Sequence, residues 1–173
     1  MKSRRVPLAD RLPRMDALSR LPVFLALDGR RAVVAGNSAA AAWKAELLSA
    51  AGASVEVFAP DPSEEMIDLV AEAPRGPIVL NRRTWTPADF AGAAIAVAAC
   101  EDDAEAARFS TAGRAAGIAV NVVDRPAYCD FAFGAIVNRS PLVIGISTDG
   151  AVPVWGKLAA RNFARRVDKH RAP

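Results

Sequence analysis

Arg31-Ala32-Val33-Val34-Ala35, the turn Gly36-Asn37-Ser38, the run Ala39 through Ala51, then Gly52 and Ser54-Val55-Glu56-Val57-Phe58-Ala59 decide the fold. The first segment is a short apolar run of the kind buried on both faces of a parallel sheet. The second is an Ala- and Leu-rich helix, for which Gly52 supplies a left-handed stop. The third is another strand. Strand, tight turn, helix and strand within some thirty residues form the repeating unit of a parallel α/β sheet.

Working outward, Leu21 to Leu27 is an apolar run closed by the Asp28-Gly29 turn, and residues 1–20 read as a basic, proline-containing leader. Ser63 to Ala73 predicts a helix with Ser63 as N-cap and Glu64 and Glu65 in its first turn. Pro77 to Leu80 predicts a strand, Thr86-Pro87 the start of a short helix, and Ala94 to Ala99 a further strand. Asp102 to Ala116 reads as a helix stopped by Gly117, and Ala119 to Val123 as the fifth strand. The alternation predicts an open parallel sheet covered on both faces, with ligands at the carboxyl ends of its strands. After Pro126 the pattern changes. Phe131 to Val137 and Leu142 to Ser147 predict an antiparallel pair joined by Asn138-Arg139-Ser140-Pro141, followed by a helix from about Pro153.

Composition narrows the classes of function. A chain of 173 residues, 52% hydrophobic, can bury a real core. Its 22 basic and 19 acidic residues nearly balance, with the excess at the two ends and no interleaved aromatics, so no nucleic-acid partner is expected. Cys100 and Cys129 have no second Cys or His at ligand spacing, which predicts neither a metal site nor a disulfide. The one histidine is His170, near the C-terminus, so Ser-His-Asp and Cys-His chemistry are not expected. No apolar run reaches membrane-spanning length and the N-terminus lacks a secretory core, which predicts a cytoplasmic protein.

Four places carry chemistry. Gly36-Asn37-Ser38-Ala39-Ala40-Ala41 has the layout of a G-x-G-x-x-G/A phosphate loop with Ser38 in the second glycine's place; the alternative is a plain strand-to-helix turn. At the end of the second strand, Pro60-Asp61 either meets an adenosine ribose, favouring NAD over NADP, or is simple turn chemistry. Asp124 follows Val120-Asn121-Val122-Val123 at the sheet edge, where a partly buried carboxylate acts as general base, or else it belongs to an Asp-Arg-Pro turn. Ser147-Thr148-Asp149-Gly150 either holds an anionic group or caps the next helix.

Taken together, Leu21-Pro22-Val23-Phe24, the Gly36 turn with Lys44 in its helix, Ala98 to Asp103, Asn121 to Asp124, Ser140-Pro141-Leu142-Val143-Ile144 and Ile146 to Gly150 resemble the N-terminal module of siroheme synthase. That is the precorrin-2 dehydrogenase and sirohydrochlorin ferrochelatase family, and the resemblance runs from about Leu21 to Val154. It implies a Rossmann-like doubly wound parallel sheet, a small α+β dimerisation segment and a C-terminal helix shorter than is usual in the family. The corresponding divisions are a flexible leader over 1–20, an NAD-binding domain over 21–125, the dimerisation segment over 126–152 and the helix over 153–173. The implied activity is NAD-dependent oxidation of precorrin-2 to sirohydrochlorin in a homodimer, with insertion of ferrous iron as a second activity of bifunctional members.

In that resemblance Asp124 matches the essential aspartate. Ala39, Ala40, Pro60 and Asp61, beside Gly36 and Ser38, match the cofactor contacts, and Thr148 matches a hydroxyl beside the tetrapyrrole. The many carboxylates of the substrate make Arg125, Arg139 and Lys157 candidate partners, with Ser147 alongside. The chain departs from the pattern in three places: the Gly-Gly-Gly turn is Gly36-Asn37-Ser38, the Arg-Lys pair is Trp43-Lys44, and the segment after Asp102-Asp103 lacks an asparagine. A non-catalytic dinucleotide- or tetrapyrrole-binding module is the competing expectation, and an NADP-dependent reductase of another small substrate a third.

Overall fold

The computed structural model describes residues 16–148 and 153–171. Its chain falls into two compact units, one spanning Phe24–Gly134 and the other made of the described parts of 1–23 and 135–173. The first unit holds five strands: β1 (Arg31–Ala35), β2 (Ser54–Phe58), β3 (Ile78–Asn81), β4 (Ile95–Ala98) and β5 (Ala119–Val122). They lie in the order β3-β2-β1-β4-β5 with every pairing parallel. Between them run α1 (Ala39–Ala50), α2 (Glu64–Ala71) and α3 (Asp103–Ala115), with a 3₁₀ turn at Pro87–Phe90.

Period-two alternation distributes the strand residues to two cores. Val34, Val55, Val57 and Val97 pack with Ala41, Ala45 and Leu48 of α1 and Met66 of α2. Val33, Ala35, Phe58 and Val120 point the other way, toward Phe109 of α3 and Phe90 of the 3₁₀ turn. Trp85, Phe90 and Phe109 meet edge to face, with ring centroids 5.0 to 5.6 Å apart. Both faces of the sheet are therefore covered, and the strands read as continuous apolar runs for that reason.

Local capping chemistry sets the helix ends. Ser38, Ser63 and Asp102 are the N-caps of α1, α2 and α3, each accepting from a backbone N–H three residues on. Gly52 follows α1 at φ 88°, and its N–H closes on the Ser49 carbonyl. These boundaries agree with expectation to within a residue or two. The apolar run Leu21 to Leu27 has no regular secondary structure ahead of the Asp28-Gly29 turn, and only Leu27 of it is buried.

The second unit contains β6 (Ala135–Arg139) paired antiparallel with β7 (Leu142–Ile146), and α4 (Pro153–Arg171). Arg139 pairs with Leu142, so Ser140-Pro141, joined by a cis peptide, is the whole of the hairpin loop. The expected strand from Phe131 begins only at Ala135. Phe131 and Phe133 instead stack edge to face, with centroids 5.4 Å apart, and pack against the core under α1. Burial of the two rings takes precedence over strand pairing there. The Asp149-Gly150 half of the predicted turn and most of the leader lie outside the described residues. Among the described residues no helix is long and apolar enough to cross a membrane.

Candidate functional site

A cleft of about 830 Å³ opens at the carboxyl edge of the sheet, within the range of small-molecule and cofactor sites. It lies where the strand order reverses between β1 and β4. Gly36, Asn37, Ser38 and Ala40 line it from the β1–α1 turn, Phe58 and Pro60 from the end of β2, and Ala99 to Asp102 from the end of β4. Val123, Asp124 and Arg125 close it beyond β5, with Trp85 and Arg108 on the far side.

Gly36 sets the depth of this cleft. Its φ of 127° is a glycine conformation, and a Cβ there would stand 2.6 Å from the Ala99 carbonyl oxygen. The Gly36 N–H is held by the Phe58 carbonyl at 3.1 Å. In the following turn, Ala42 donates to the Ser38 carbonyl and Ala41 to Ser38 Oγ. The amides of Ala39 and Ala40 precede the first intrahelical bonds and face the positive end of α1. A diphosphate fits this arrangement: a backbone stripped of side-chain bulk at Gly36, free N–H donors and a hydroxyl.

Ser38 serves the helix as well as the cleft, which separates two effects. Ser38→Ala is expected to cost about 1 kcal/mol of helix capping. A drop of about 2–4 °C in the unfolding midpoint without ligand follows for a domain of this size. Repeating the melt with NAD⁺ reads whether the hydroxyl also supports the ligand, since added stabilisation then shrinks further than the cap alone requires.

The turn beyond β5 is built by the segment that follows it. β5 is an edge strand, and its outer amides are satisfied by side chains: Val120 N–H donates to Asp130 at 2.9 Å, and Val122 N–H to Cys129 Sγ at 3.2 Å. Asn121 Nδ2 reaches the Phe131 carbonyl at 2.9 Å. Burial pushes the Asp130 carboxyl up, but hydrogen bonds from Arg114 and the Val120 amide outweigh it and hold the group below its usual range. None of these supports was singled out from sequence, because their partners are brought together only by the fold. The Asp-Arg-Pro turn is real, and Asp124 sits in it at φ 59°, a left-handed conformation that aspartate tolerates.

Asp124 lines the cleft, yet it is exposed rather than partly buried as expected. The reason is that β5 ends at Val122 and the left-handed turn carries the residue past the sheet edge. Arg125 also lines the cleft, but its guanidinium is committed to the Asp103 carboxylate and the Glu101 carbonyl, tying the turn to the start of α3. Pro60 is in place, whereas Ala39 and Asp61 are exposed and outside the cleft lining. Cys100 lines it as a neutral thiol, pushed up to about 12 by burial and next by Glu105.

The remaining candidates belong to the second unit. Arg139 forms a bidentate pair with Asp168, at 2.7 and 3.1 Å, clamping β6 to α4. Lys157 is exposed on α4, and Ser147 and Thr148 follow β7. Among the described residues, no group of three Asp, Glu, His or Cys is placed to hold a metal ion.

A doubly wound sheet with a glycine turn and a helix N-terminus at its switch point defines a nucleotide-binding α/β protein. The chain belongs to the NAD(P)-binding family whose model, described as "Putative NAD(P)-binding", matches residues 23–135. It is similar to the siroheme synthase of Pseudomonas aeruginosa (strain UCBPP-PA14), 44% identical over 138 residues that cover 80% of this chain and 29% of that protein. The siroheme synthase of Methylococcus capsulatus is 39% identical over 148 residues, covering 86% of this chain and 30% of its own length. The chain thus spans about three tenths of these relatives. Among solved structures, SirC, a precorrin-2 dehydrogenase, shares the fold with a TM-score of 0.72 at 24% identity, over 85% of this chain and 70% of its own.

Proposed function

We propose that this chain oxidises precorrin-2 to sirohydrochlorin with NAD⁺, as a step in siroheme formation. The observation that carries the reading is the meeting of the Gly36 turn and Asp124 on one cleft, in a chain similar to siroheme synthases and to a precorrin-2 dehydrogenase. Gly36, Ser38, Ala39 and Ala40 bind the diphosphate, and Pro60 with Asp61 faces the adenosine ribose. A negative charge at Asp61 favours NAD over its 2′-phosphorylated form. Bound NAD⁺ supplies the hydride acceptor. Asp124 takes the proton that the substrate must release as it loses hydride, and its exposure at the cleft mouth leaves it in reach of a large macrocycle.

Lys157, Ser147 and Thr148 of the second unit are proposed contacts for the substrate's carboxylates; Arg125 at the cleft and Arg139 on β6 would each have to exchange an internal carboxylate, Asp103 or Asp168, for one of the substrate's. The proposed division of labour is NAD binding by residues 21–125 and dimerisation by 126–152, with α4 following from Pro153. Homodimer formation is supported by apolar side chains exposed on both elements of the second unit: Ile136, Leu142 and Val143 on the hairpin, Trp155 and Leu158 on α4. Ferrous iron is a proposed second substrate, and the cytoplasm the proposed compartment.

An anaerobic absorbance assay with precorrin-2 and NAD⁺ tests the reading. Sirohydrochlorin and NADH should appear in equal amounts. NAD⁺ binding without either product would replace the dehydrogenase with a binding module, and a preference for NADP⁺ would remove the role of Asp61.

A further inference from the structure

One thiol grips the turn that follows β5. Cys129 Sγ accepts the Val122 N–H at 3.2 Å and lies 3.2 Å from the Val122 carbonyl oxygen and 3.3 Å from that of Arg125, the two acceptors open to its S–H. Asn121 Nδ2 adds a longer contact to the sulfur, at 3.4 Å. Val122 stands two residues before Asp124 and Arg125 directly after it, so the sulfur touches backbone on both sides of the residue at φ 59°. A left-handed residue other than glycine persists where the surrounding structure over-determines it. The closing bond of the turn itself, from the Arg125 N–H to the Val122 carbonyl, is 3.2 Å long and shares its acceptor with the thiol.

The thiol can dictate the turn because it is itself fixed from behind. The Cys129 N–H donates to the Pro126 carbonyl at 3.2 Å. Asp130, the next residue, bonds Val120 twice: its N–H donates to the Val120 carbonyl at 2.7 Å, and its carboxylate accepts the Val120 N–H at 2.9 Å. The same carboxylate accepts from Arg114 of α3 at 2.9 Å, so the segment carrying the sulfur is tied to both β5 and α3. We infer that Cys129 is a positioning residue for Asp124: its thiol holds the Val122–Arg125 backbone and thereby keeps the exposed carboxylate at the cleft.

This inference rests on the proposed role of Asp124, so its first test needs no turnover. In the full chain, amide hydrogen exchange followed by NMR should show Val122 and Arg125 protected, and both should exchange faster in Cys129→Ala, which removes the acceptor of the first and loosens the acceptor of the second. The Val123 amide, bonded to the Ala98 carbonyl at 2.8 Å, should keep its protection and serves as the reference. Cys129→Val fills the same space without hydrogen bonds and should behave as Cys129→Ala does, whereas Cys129→Ser keeps a donor and an acceptor and should recover part of the protection. Unchanged exchange in Cys129→Ala, or full recovery in Cys129→Val, overturns the inference whatever the activity.

In turnover, Cys129→Ala should lower kcat by about 10²-fold, the loss that accompanies a misplacement of about 1 Å. NAD⁺ affinity, read by titration, should stay at the wild-type value, because the Gly36 turn is held by the Phe58 carbonyl at the end of β2 and not by this segment. Cys129→Ser should regain part of the rate. The deciding comparison is the double variant: a residue that acts through Asp124 loses its effect once that carboxylate is gone, so adding Cys129→Ala to Asp124→Asn should lower kcat little further. A further loss as large as that of Cys129→Ala alone would make the thiol a general support of the fold and sink the inference, as would a wild-type kcat in Cys129→Ala. If the wild-type protein produces no NADH, the dehydrogenase reading falls, and the exchange data alone decide whether the thiol holds the turn.

Discussion

Asp124→Asn is expected to lower precorrin-2 turnover by about 10²- to 10⁴-fold, the range that a positioned acid or base contributes. Asparagine is the appropriate replacement because Asp124 has φ 59°, and asparagine enters the left-handed region as readily as aspartate. Turn, cleft and NAD⁺ affinity should therefore persist while the charge is removed. Loss of rate with unchanged NAD⁺ binding and an unchanged unfolding midpoint assigns the proton to this carboxylate. Asp124→Ala adds backbone strain, so a lower midpoint in that variant and not in Asp124→Asn separates conformation from charge. Turnover at the wild-type rate in Asp124→Asn would mean that the proton leaves by way of solvent.

Gly36→Ala is expected to have the second large effect, on folding and binding together. The added methyl would stand 2.6 Å from a backbone oxygen and 3.2 Å from the Ala99 Cβ, at a φ that L-residues rarely adopt. Neither obstacle is the end of a flexible side chain, so β1 or β4 must shift. A cost of about 2–4 kcal/mol follows, in the range of strained backbone positions and core overpacking. NAD⁺ affinity should fall as well, because displacing the turn tilts the free amides of Ala39 and Ala40. Calorimetric unfolding and NAD⁺ titration check the two parts. Weakened NAD⁺ binding with an unchanged midpoint would show that the turn relaxes without disturbing the sheet.

The two variants probe parts of the site that were unequally legible in the sequence. The Gly36 turn is local: strand, glycine and N-capping serine are consecutive, and glycine conformation and capping need only near neighbours. The same holds for Ser63 and Asp102, whose capping bonds span three residues. Asp124 was legible as a position at the end of a strand, but not in its exposure, because one left-handed residue decides whether the side chain turns into the sheet or past it. Arg125 and Arg139 were legible only as charges. Their partners are Asp103, 22 residues away, and Asp168, 29 residues away, and nothing in the local pattern distinguishes a committed guanidinium from a free one.

What the sequence by itself determined is the order of elements and the place of the cofactor turn. Apolar periodicity and capping act over one helical turn or one strand, and consecutive residues contain all the terms involved. Tertiary structure alone decided that Cys129 and Asp130 complete the β5 edge, that Phe133 leaves its expected strand to pack against the core under α1, and that the nearest cation to Asp124 in sequence is tied elsewhere. Each depends on which groups separated along the chain compete for the same buried amide, ring face or charge, and that competition is resolved only when the sheet is assembled.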